Sequence, residues 1–271
     1  MEKKFERKEP IIEKNGIVFD DFDVACFDKA KEVMGDKFEE DLEKTKDLVD
    51  EILGSKWEIG DNKLKLYLFC DENQYKEYLR KHFPKSPADW ATFDKKTNSI
   101  LKCAAVPKRE EDKIICRANM FAGIGHEMAH LHPFFGGVGN KASKGKWEQE
   151  MVCVFIEDKI RAKMGNERMQ KINLENAKKE LEKFRKEGES FSLKETDTDW
   201  ENFYSAERFV YPWLEKKYGL GKLRQLWTIL FKEKKELGES LKEIYGKEVK
   251  DIEKDFQEDI IQAEDYKKNL I

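Results

Sequence analysis

The spacing of apolar residues predicts both helices and strands in the first part of the chain. Residues 24–53 carry apolar side chains three and four positions apart, which is the period of a helix, and Gly54 is a residue type that commonly ends one. The segment 63–69 begins with alternating polar and apolar residues, which predicts a strand. A helix is then predicted up to about His82, with Asp71 as its N-terminal cap.

A second strand is predicted at Ser99–Cys103, directly after the turn-forming residues 94–98. The run Ala91-Thr92-Phe93, before that turn, is a candidate hairpin partner. The pattern therefore indicates a small sheet flanked by helices. We expect Ser99–Cys103 to form the edge of a cleft, where an extended peptide backbone pairs with it.

Beyond this sheet the chain shows helical periods only. A helix is predicted from about Arg117 to Pro133, and its apolar residues recur at intervals of three and four. Further helices are predicted at 147–164, in the first part of the charged stretch 165–199, and at 204–217, 220–232 and 249–263. These elements predict an α+β fold that is mostly helical, with a small N-terminal sheet and a C-terminal helical part.

Composition narrows the class of protein. The chain has 271 residues, of which 39% are apolar, so a substantial core can form. Charged residues make up 40%, but the opposite signs nearly cancel to a net charge of −4, which argues against nucleic acid or an anionic membrane as a partner. The five cysteines are scattered and include no CxxC pair, a usage typical of a reducing compartment. Because no signal-like or membrane-spanning run is present, we expect a cytoplasmic protein, with a trimmed leader left open.

The sequence His126-Glu127-Met128-Ala129-His130 is the most specific motif of the chain. Two histidines four residues apart on a helix lie on one face, so both imidazoles can reach one metal ion. The intervening Glu127 can then take a proton from a water molecule beside that metal. The alternative is a helix with two surface histidines. His132 is two residues past His130, so we expect it to face away from the metal.

Two glycines precede this motif, at positions 123 and 125. A glycine inside a helix costs about 0.5–1 kcal/mol relative to alanine. The pair therefore predicts that another group packs close to this stretch of backbone.

The third metal ligand is sought downstream, since catalytic zinc usually has three protein ligands. Glu150 is the first choice because it directly precedes a run of mostly apolar residues, where a carboxylate is costly unless paired or bound to metal. Glu148 is the second choice and Glu157 the third. In the alternative interpretation Glu150 only interacts favourably with the N-terminus of its helix. Cys153 is expected to pack as a small apolar residue, and a thiolate ligand there is the other option.

An HExxH helix with a glutamate on the following helix resembles the gluzincin zinc metallopeptidases. The gap from His130 to Glu150 is similar to that of thermolysin-like enzymes, and Trp147-x-x-Glu150 is similar to the Trp-x-x-Glu-Gly segment of peptidase MA-like proteins. The segments 204–226 and 245–256 also resemble those that follow the metal helices in that group. The resemblance covers about residues 15–262.

This resemblance implies a zincin-like fold that forms one catalytic domain. Its N-terminal α/β subdomain, 1–138, would end in the HEMAH helix, and its C-terminal helical subdomain would be 139–271. The resemblance makes His126, His130 and Glu150 the ligands of one Zn²⁺ per chain and Glu127 the general base. Tyr204 matches a tyrosine that steadies the oxyanion in related aminopeptidases, although a half-buried capping aromatic is an equal alternative. Tyr211 is a weaker substitute.

The chain departs from the family pattern at two positions near Glu150. Met151 stands where the family often has glycine, and Val154 stands where thermolysin-like enzymes carry an aspartate that orients a ligand histidine. The partner of that histidine is therefore open, with four candidates: Glu157, Asp158, Asp199 and Glu207. No Gly-x-Met-Glu-Asn segment is present to anchor a free amino terminus, which favours an endopeptidase or an unusual substrate.

The sequence therefore predicts a zinc-dependent peptidase, a hydrolase that acts on a peptide or protein substrate. Nucleic acid and membrane are not expected as partners, and the oligomeric state is open. One alternative is a catalytically impaired, zincin-like metal-binding module that acts through a protein partner. Another is a metal-free helical scaffold in which the motif is a coincidence.

Overall fold

The computed structural model describes eleven stretches of the chain, which contain the central sheet and nine helices. These stretches are residues 17–18, 22–27, 37–57, 64–69, 71–82, 91–94, 99–104, 106–136, 146–188, 191–193 and 206–263. In this part of the chain no helix is long and apolar enough to cross a bilayer.

Five strands form one mixed sheet. The strands are β1 (Ile17–Val18), β2 (Phe22–Phe27), β3 (Leu64–Phe69), β4 (Ala91–Asp94) and β5 (Ser99–Cys103), in the spatial order β1-β2-β3-β5-β4. β2, β3 and β5 run parallel, while β1 and β4 pair antiparallel with their neighbours. The predicted strands at 63–69 and 99–103 are confirmed. The hairpin partner predicted at Ala91-Thr92-Phe93 is also confirmed, since this run lies in β4 and pairs with β5.

Two expectations about the sheet are wrong. The helix predicted over 24–53 begins only at Phe38, because Phe22–Phe27 pairs as a strand between β1 and β3. A short apolar run fits a helix or a strand equally well, and the long-range pairing decides. The expected cleft edge at Ser99–Cys103 is an interior strand, since β4 covers it, and β4 is the edge.

Nine helices are described, and most of them follow the sheet. They are α1 (Phe38–Leu53), α2 (Glu72–His82), α3 (Lys113–Leu131), α4 (Lys146–Lys163), α5 (Arg168–Glu187), α6 (Val210–Tyr218), α7 (Leu220–Thr228), α8 (Leu237–Tyr245) and α9 (Val249–Gln262). Asp71 caps α2 as predicted, since its Oδ1 accepts the backbone N–H groups of Asn73 and Gln74. Helix α8 is absent from the sequence prediction. The mostly helical α+β class is confirmed.

The two faces of the sheet pack against different helices. Leu64, Leu66 and Ile100 belong to the main core, which also includes apolar side chains of α1 and α3. Leu101 and Cys103 alternate with Ile100 and face the other way, into a smaller cluster with side chains of α2. Helix α3 therefore lies directly on β5 and β4, with α1 and α4 at its sides.

Candidate metal centre

One face of α3 carries the residues of the predicted motif. Gly123, His126, Glu127 and His130 are spaced three and four residues apart, so they line up along one side of the helix. From Ala118 to Leu131 the other sides of the helix are nearly all apolar and are buried in the main core. Burial on most sides of this part explains why α3 has only a weak amphipathic pattern.

Helix α4 has two glutamates and a cysteine on the face that packs against α3. Its residues 151–156 are all buried apolar side chains or cysteine, so the helix is also covered on most sides. Glu150, Cys153 and Glu157 are spaced at intervals of three and four and share one face. This face meets the histidine face of α3.

The side chains of His126, His130 and Glu150 meet at one point. The Nε2 atoms of the two histidines are 3.2 Å apart. The Glu150 carboxylate places Oε2 3.3 Å from Nε2 of His126 and Oε1 3.2 Å from Nε2 of His130. Three ligands about 2.0–2.1 Å from a tetrahedral zinc ion lie about 3.3 Å from one another. The two imidazole nitrogens match this spacing, and each of them lies at a similar distance from one oxygen of the Glu150 carboxylate.

The other ring nitrogen of His126 has its own carboxylate partner. Nδ1 of His126 lies 3.1 Å from Oε2 of Glu157. The Glu157 Oε1 accepts from the Arg161 guanidinium, which holds that carboxylate ionised. A carboxylate at Nδ1 holds a ring proton there, so Nε2 is the nitrogen that faces Glu150 and His130.

Of the three candidates that the structure describes, Glu157 is the one that contacts a histidine of the motif. Asp158 instead accepts a hydrogen bond of 2.6 Å from Nε of the buried Arg208 and one of 3.2 Å from Arg161. The carboxylate of Glu207 lies near that of Glu180. Asp199 is outside the described residues.

The histidine and carboxylate side chains of the centre shift one another's pKa values. Burial lowers the pKa of His126, but hydrogen bonds with Glu150 and Glu157 outweigh that effect and raise the pKa to about 10. Burial also raises the pKa of Glu150, while hydrogen bonds with both histidines hold it well below its usual range. Two carboxylates around one imidazole therefore create a site that favours positive charge.

Glu127 lies beside this cluster and is 6% exposed. Burial raises the pKa of its carboxyl, and the neighbouring His126 and His130 act in the opposite direction. A carboxylate with a pKa raised toward neutrality is suited to accept and return a proton. Its place on α3 is the one that the HEMAH spacing predicts.

The edge strand contributes an aromatic contact to the centre. The ring of Phe93 in β4 stacks on the imidazole of His130, with ring centroids 4.9 Å apart and planes inclined by 30°. Phe93 is paired with Ile100, so it shares the sheet face that packs on α3. The stack restricts rotation of the His130 ring.

A thiol also lies within reach of the histidines. One nitrogen each of His126 and His130 and the Sγ of Cys153 all lie within 4.8 Å of one another. Cys153 is fully buried and is one helical turn past Glu150. These three residues form a group that could hold a metal ion, and the Glu150 carboxylate contacts both of its histidines.

The remaining predicted residues have other surroundings. Tyr204 lies outside the described residues. Tyr211 is buried against Trp227, with ring centroids 5.6 Å apart, and burial raises the pKa of its phenol well above the usual value. His132 turns away from the centre, as expected: Nε2 lies 3.2 Å from Asp50 Oδ1, and Nδ1 accepts the backbone N–H of Phe134.

Both glycines before the motif are in close contact with a side chain, as predicted. A Cβ atom at position 123 would lie 2.5 Å from Nζ of Lys102. A Cβ atom at position 125 would overlap Cδ1 of Ile160. Lys102 and Phe93 are residues beside the centre for which no role was predicted. The signal available for Lys102 is that it is a lysine in a mostly apolar strand.

Searches of protein-family models and of curated proteins found no match to this chain.

Proposed function

We propose that this chain is a zinc-dependent peptidase with a zincin-like fold. The observation that carries the proposal is the convergence of His126, His130 and Glu150 from two helices, with the buried Glu127 beside them. Two imidazoles and one carboxylate are the ligand set of many catalytic zinc sites, and they leave a fourth position for water.

Each residue of the centre would have its own role in catalysis. His126, His130 and Glu150 would hold the ion, and Glu157 would keep the His126 ring in the correct tautomer. Zinc, when bound there, lowers the pKa of water and polarises a peptide carbonyl. Glu127 would accept the proton of the attacking water and return it to the departing amine.

The stabilising group for the developing oxyanion is a separate part of the proposal. A phenol directed at the carbonyl oxygen can donate a hydrogen bond to it as negative charge develops. We assign this role to Tyr204 on the basis of the family resemblance. The weaker substitute, Tyr211, is packed against Trp227 in the core.

A Glu127→Gln variant tests the catalytic part of the proposal. The amide keeps the shape of the side chain but cannot accept the proton, so we expect one zinc per chain and loss of casein cleavage. Wild-type cleavage should disappear on addition of a chelator and return with zinc. Cleavage by Glu127→Gln at the wild-type rate would contradict the role of Glu127.

The position of Cys153 favours a second candidate, a metal-binding module with little or no catalysis. A thiolate that joined His126, His130 and Glu150 would give four protein ligands, which is typical of closed structural zinc sites. Such a module would act through a protein partner. Bound zinc at one per chain, together with no cleavage of casein, would favour this candidate.

Replacing zinc by cobalt distinguishes the two candidates directly. A thiolate ligand gives the cobalt protein a sulfur-to-metal charge-transfer absorption that nitrogen and oxygen ligands lack. For an open peptidase site, we expect the spectra of wild type and Cys153→Ser to agree. A charge-transfer band that is lost in Cys153→Ser would support the closed module.

A further inference from the structure

Lys102 is a buried lysine next to the candidate metal centre. It lies in β5 and is 8% exposed. Burying an ammonium group costs folding free energy unless carboxylates or a functional site compensate for it. The residues on either side of it in the strand, Leu101 and Cys103, pack in the smaller core on the other face of the sheet.

The alternation of β5 places the Lys102 side chain against α3. Ile100 and Lys102 are two residues apart, so they share the sheet face on which α3 packs. The lysine crosses α3 at Gly123: Nζ, Cε and Cδ lie 2.5, 2.7 and 3.2 Å from the place where a Cβ would be. The lysine head can occupy this place only because residue 123 has no side chain.

Gly123 fixes where the ammonium lies relative to the motif. Residues four apart on a helix are neighbours on its surface, so position 123 adjoins Glu127. Burial lowers the pKa of the Lys102 ammonium, while attraction by the carboxylates of Glu157 and Glu127 acts in the opposite direction. The head of Lys102 therefore lies on α3 one turn before the proposed general base, near enough to interact electrostatically with Glu127 and Glu157.

We propose that Lys102 is a positioning residue that holds the Glu127 carboxylate in place through the gap left by Gly123. This inference rests on the proposed function, since it assigns a means by which the general base is kept in register with the reacting water. A misplacement of about 1 Å in such a group can cost about 100-fold in rate.

The activity test compares Lys102→Met with Lys65→Met in the zinc-loaded, full-length chain. Lys65 is an exposed lysine on the neighbouring strand β3, so its variant controls for the loss of one positive charge. We expect Lys102→Met to lower kcat for casein-derived peptides about 10- to 100-fold, with KM and zinc content unchanged. A kcat within twofold of Lys65→Met would overturn the proposal, and so would a loss of kcat that simply follows loss of zinc.

Gly123→Ala tests the same contact without removing a charge. The new Cβ would displace the ammonium, so we expect the same fall in kcat with zinc retained. In Lys102→Ala/Gly123→Ala the lysine no longer occupies the space of the new methyl group, so kcat of the double variant should be no lower than that of Lys102→Ala alone. If Lys102→Met does not fold, Gly123→Ala still tests the proposal. Wild-type kcat in Gly123→Ala would contradict the proposal.

A binding measurement separates this inference from the proposed function, because it needs no turnover. Acetohydroxamate chelates zinc and can donate a hydrogen bond to a neighbouring carboxylate. We expect Glu127→Gln and Lys102→Met each to weaken its binding about tenfold, and the double variant to be no weaker than Glu127→Gln. Independent, additive losses would overturn the positioning role. If wild type binds zinc but cleaves nothing, and the two variants still have non-additive effects on acetohydroxamate binding, the peptidase function is rejected and the coupling of Lys102 to Glu127 is retained.

Discussion

Nδ1 of His126 lies 3.1 Å from Oε2 of Glu157, two helical turns past Glu150 on the same face of α4. One helix therefore supplies both a carboxylate for the Nε2 side of the imidazole and a carboxylate for its Nδ1 side. Position 154, one turn before Glu157 on the same helix, is a buried valine.

The first prediction follows from this contact. Glu157→Gln removes the negative charge that fixes the His126 tautomer, so we expect zinc affinity to fall about 10- to 100-fold. Competition with a chromophoric chelator measures the change in Kd. The exposed Glu239 provides the control, since Glu239→Gln should leave the Kd unchanged. An unchanged Kd in Glu157→Gln would show that the contact does not orient the ligand.

The second prediction concerns the helix that carries both histidines. Gly125→Ala would place a methyl group on Cδ1 of Ile160, and overpacking of this kind costs about 1–3 kcal/mol in the free energy of unfolding. The control is Gly221→Ala in α7, where a Cβ meets nothing within 4 Å. That variant should be neutral or gain up to about 1 kcal/mol, because alanine favours the helix. Urea denaturation of the two variants should therefore give opposite or clearly different shifts, and equal shifts would refute the packing argument.

The third prediction concerns a buried ion pair that includes Asp158, the residue after Glu157 on α4. Asp158 and Arg208 are both buried, and Nε of Arg208 donates to Oδ2 at 2.6 Å. Arg208→Met leaves Asp158 with Arg161 as its remaining cationic partner, so we expect a loss on the order of 3 kcal/mol in the free energy of unfolding. Asp158→Leu/Arg208→Met should recover most of this loss. A double variant less stable than Arg208→Met would contradict the assignment.

The fourth prediction concerns pH. Burial raises the pKa of Glu207 to about 7, and the nearby Glu180 carboxylate adds to the effect. The folded state therefore binds the Glu207 proton more tightly than the unfolded chain, whose carboxyl has a pKa near 4.3. Stability from this group is complete at low pH and is lost as pH rises to about 7.

Glu207→Gln should remove that dependence. We expect the variant to be as stable as wild type near pH 4.5 and more stable at pH 8, when thermal unfolding is followed at both values. A variant that is less stable than wild type at pH 8 would show that the ionised carboxylate has a favourable partner.

The sequence was most informative where a local spacing determines the geometry. His126, Glu127 and His130 are four residues apart at most, so the helix alone places them on one face. Glu150 could be chosen because a carboxylate at the entrance to an apolar helix needs a partner. The close contacts at Gly123 and Gly125 could be expected from their cost in a helix.

The sequence was least informative where pairing between distant segments decides. Phe22–Phe27 is a strand because β1 and β3 lie beside it, and the apolar spacing of that short run fits a helix equally well. The edge position of β4, and with it the stack of Phe93 on His130, depends on strand order. The orientation of Lys102 depends in the same way on how the sheet faces α3.

The metal content of three proteins tests the central claim most directly. Wild type, Glu150→Ala and Glu148→Ala are purified without chelator, and zinc per chain is measured by elemental analysis. Because the Glu150 carboxylate contacts both histidines, we predict one zinc in wild type, close to none in Glu150→Ala and one in Glu148→Ala. Zinc retained at one per chain in Glu150→Ala, or absent from wild type, would contradict the account.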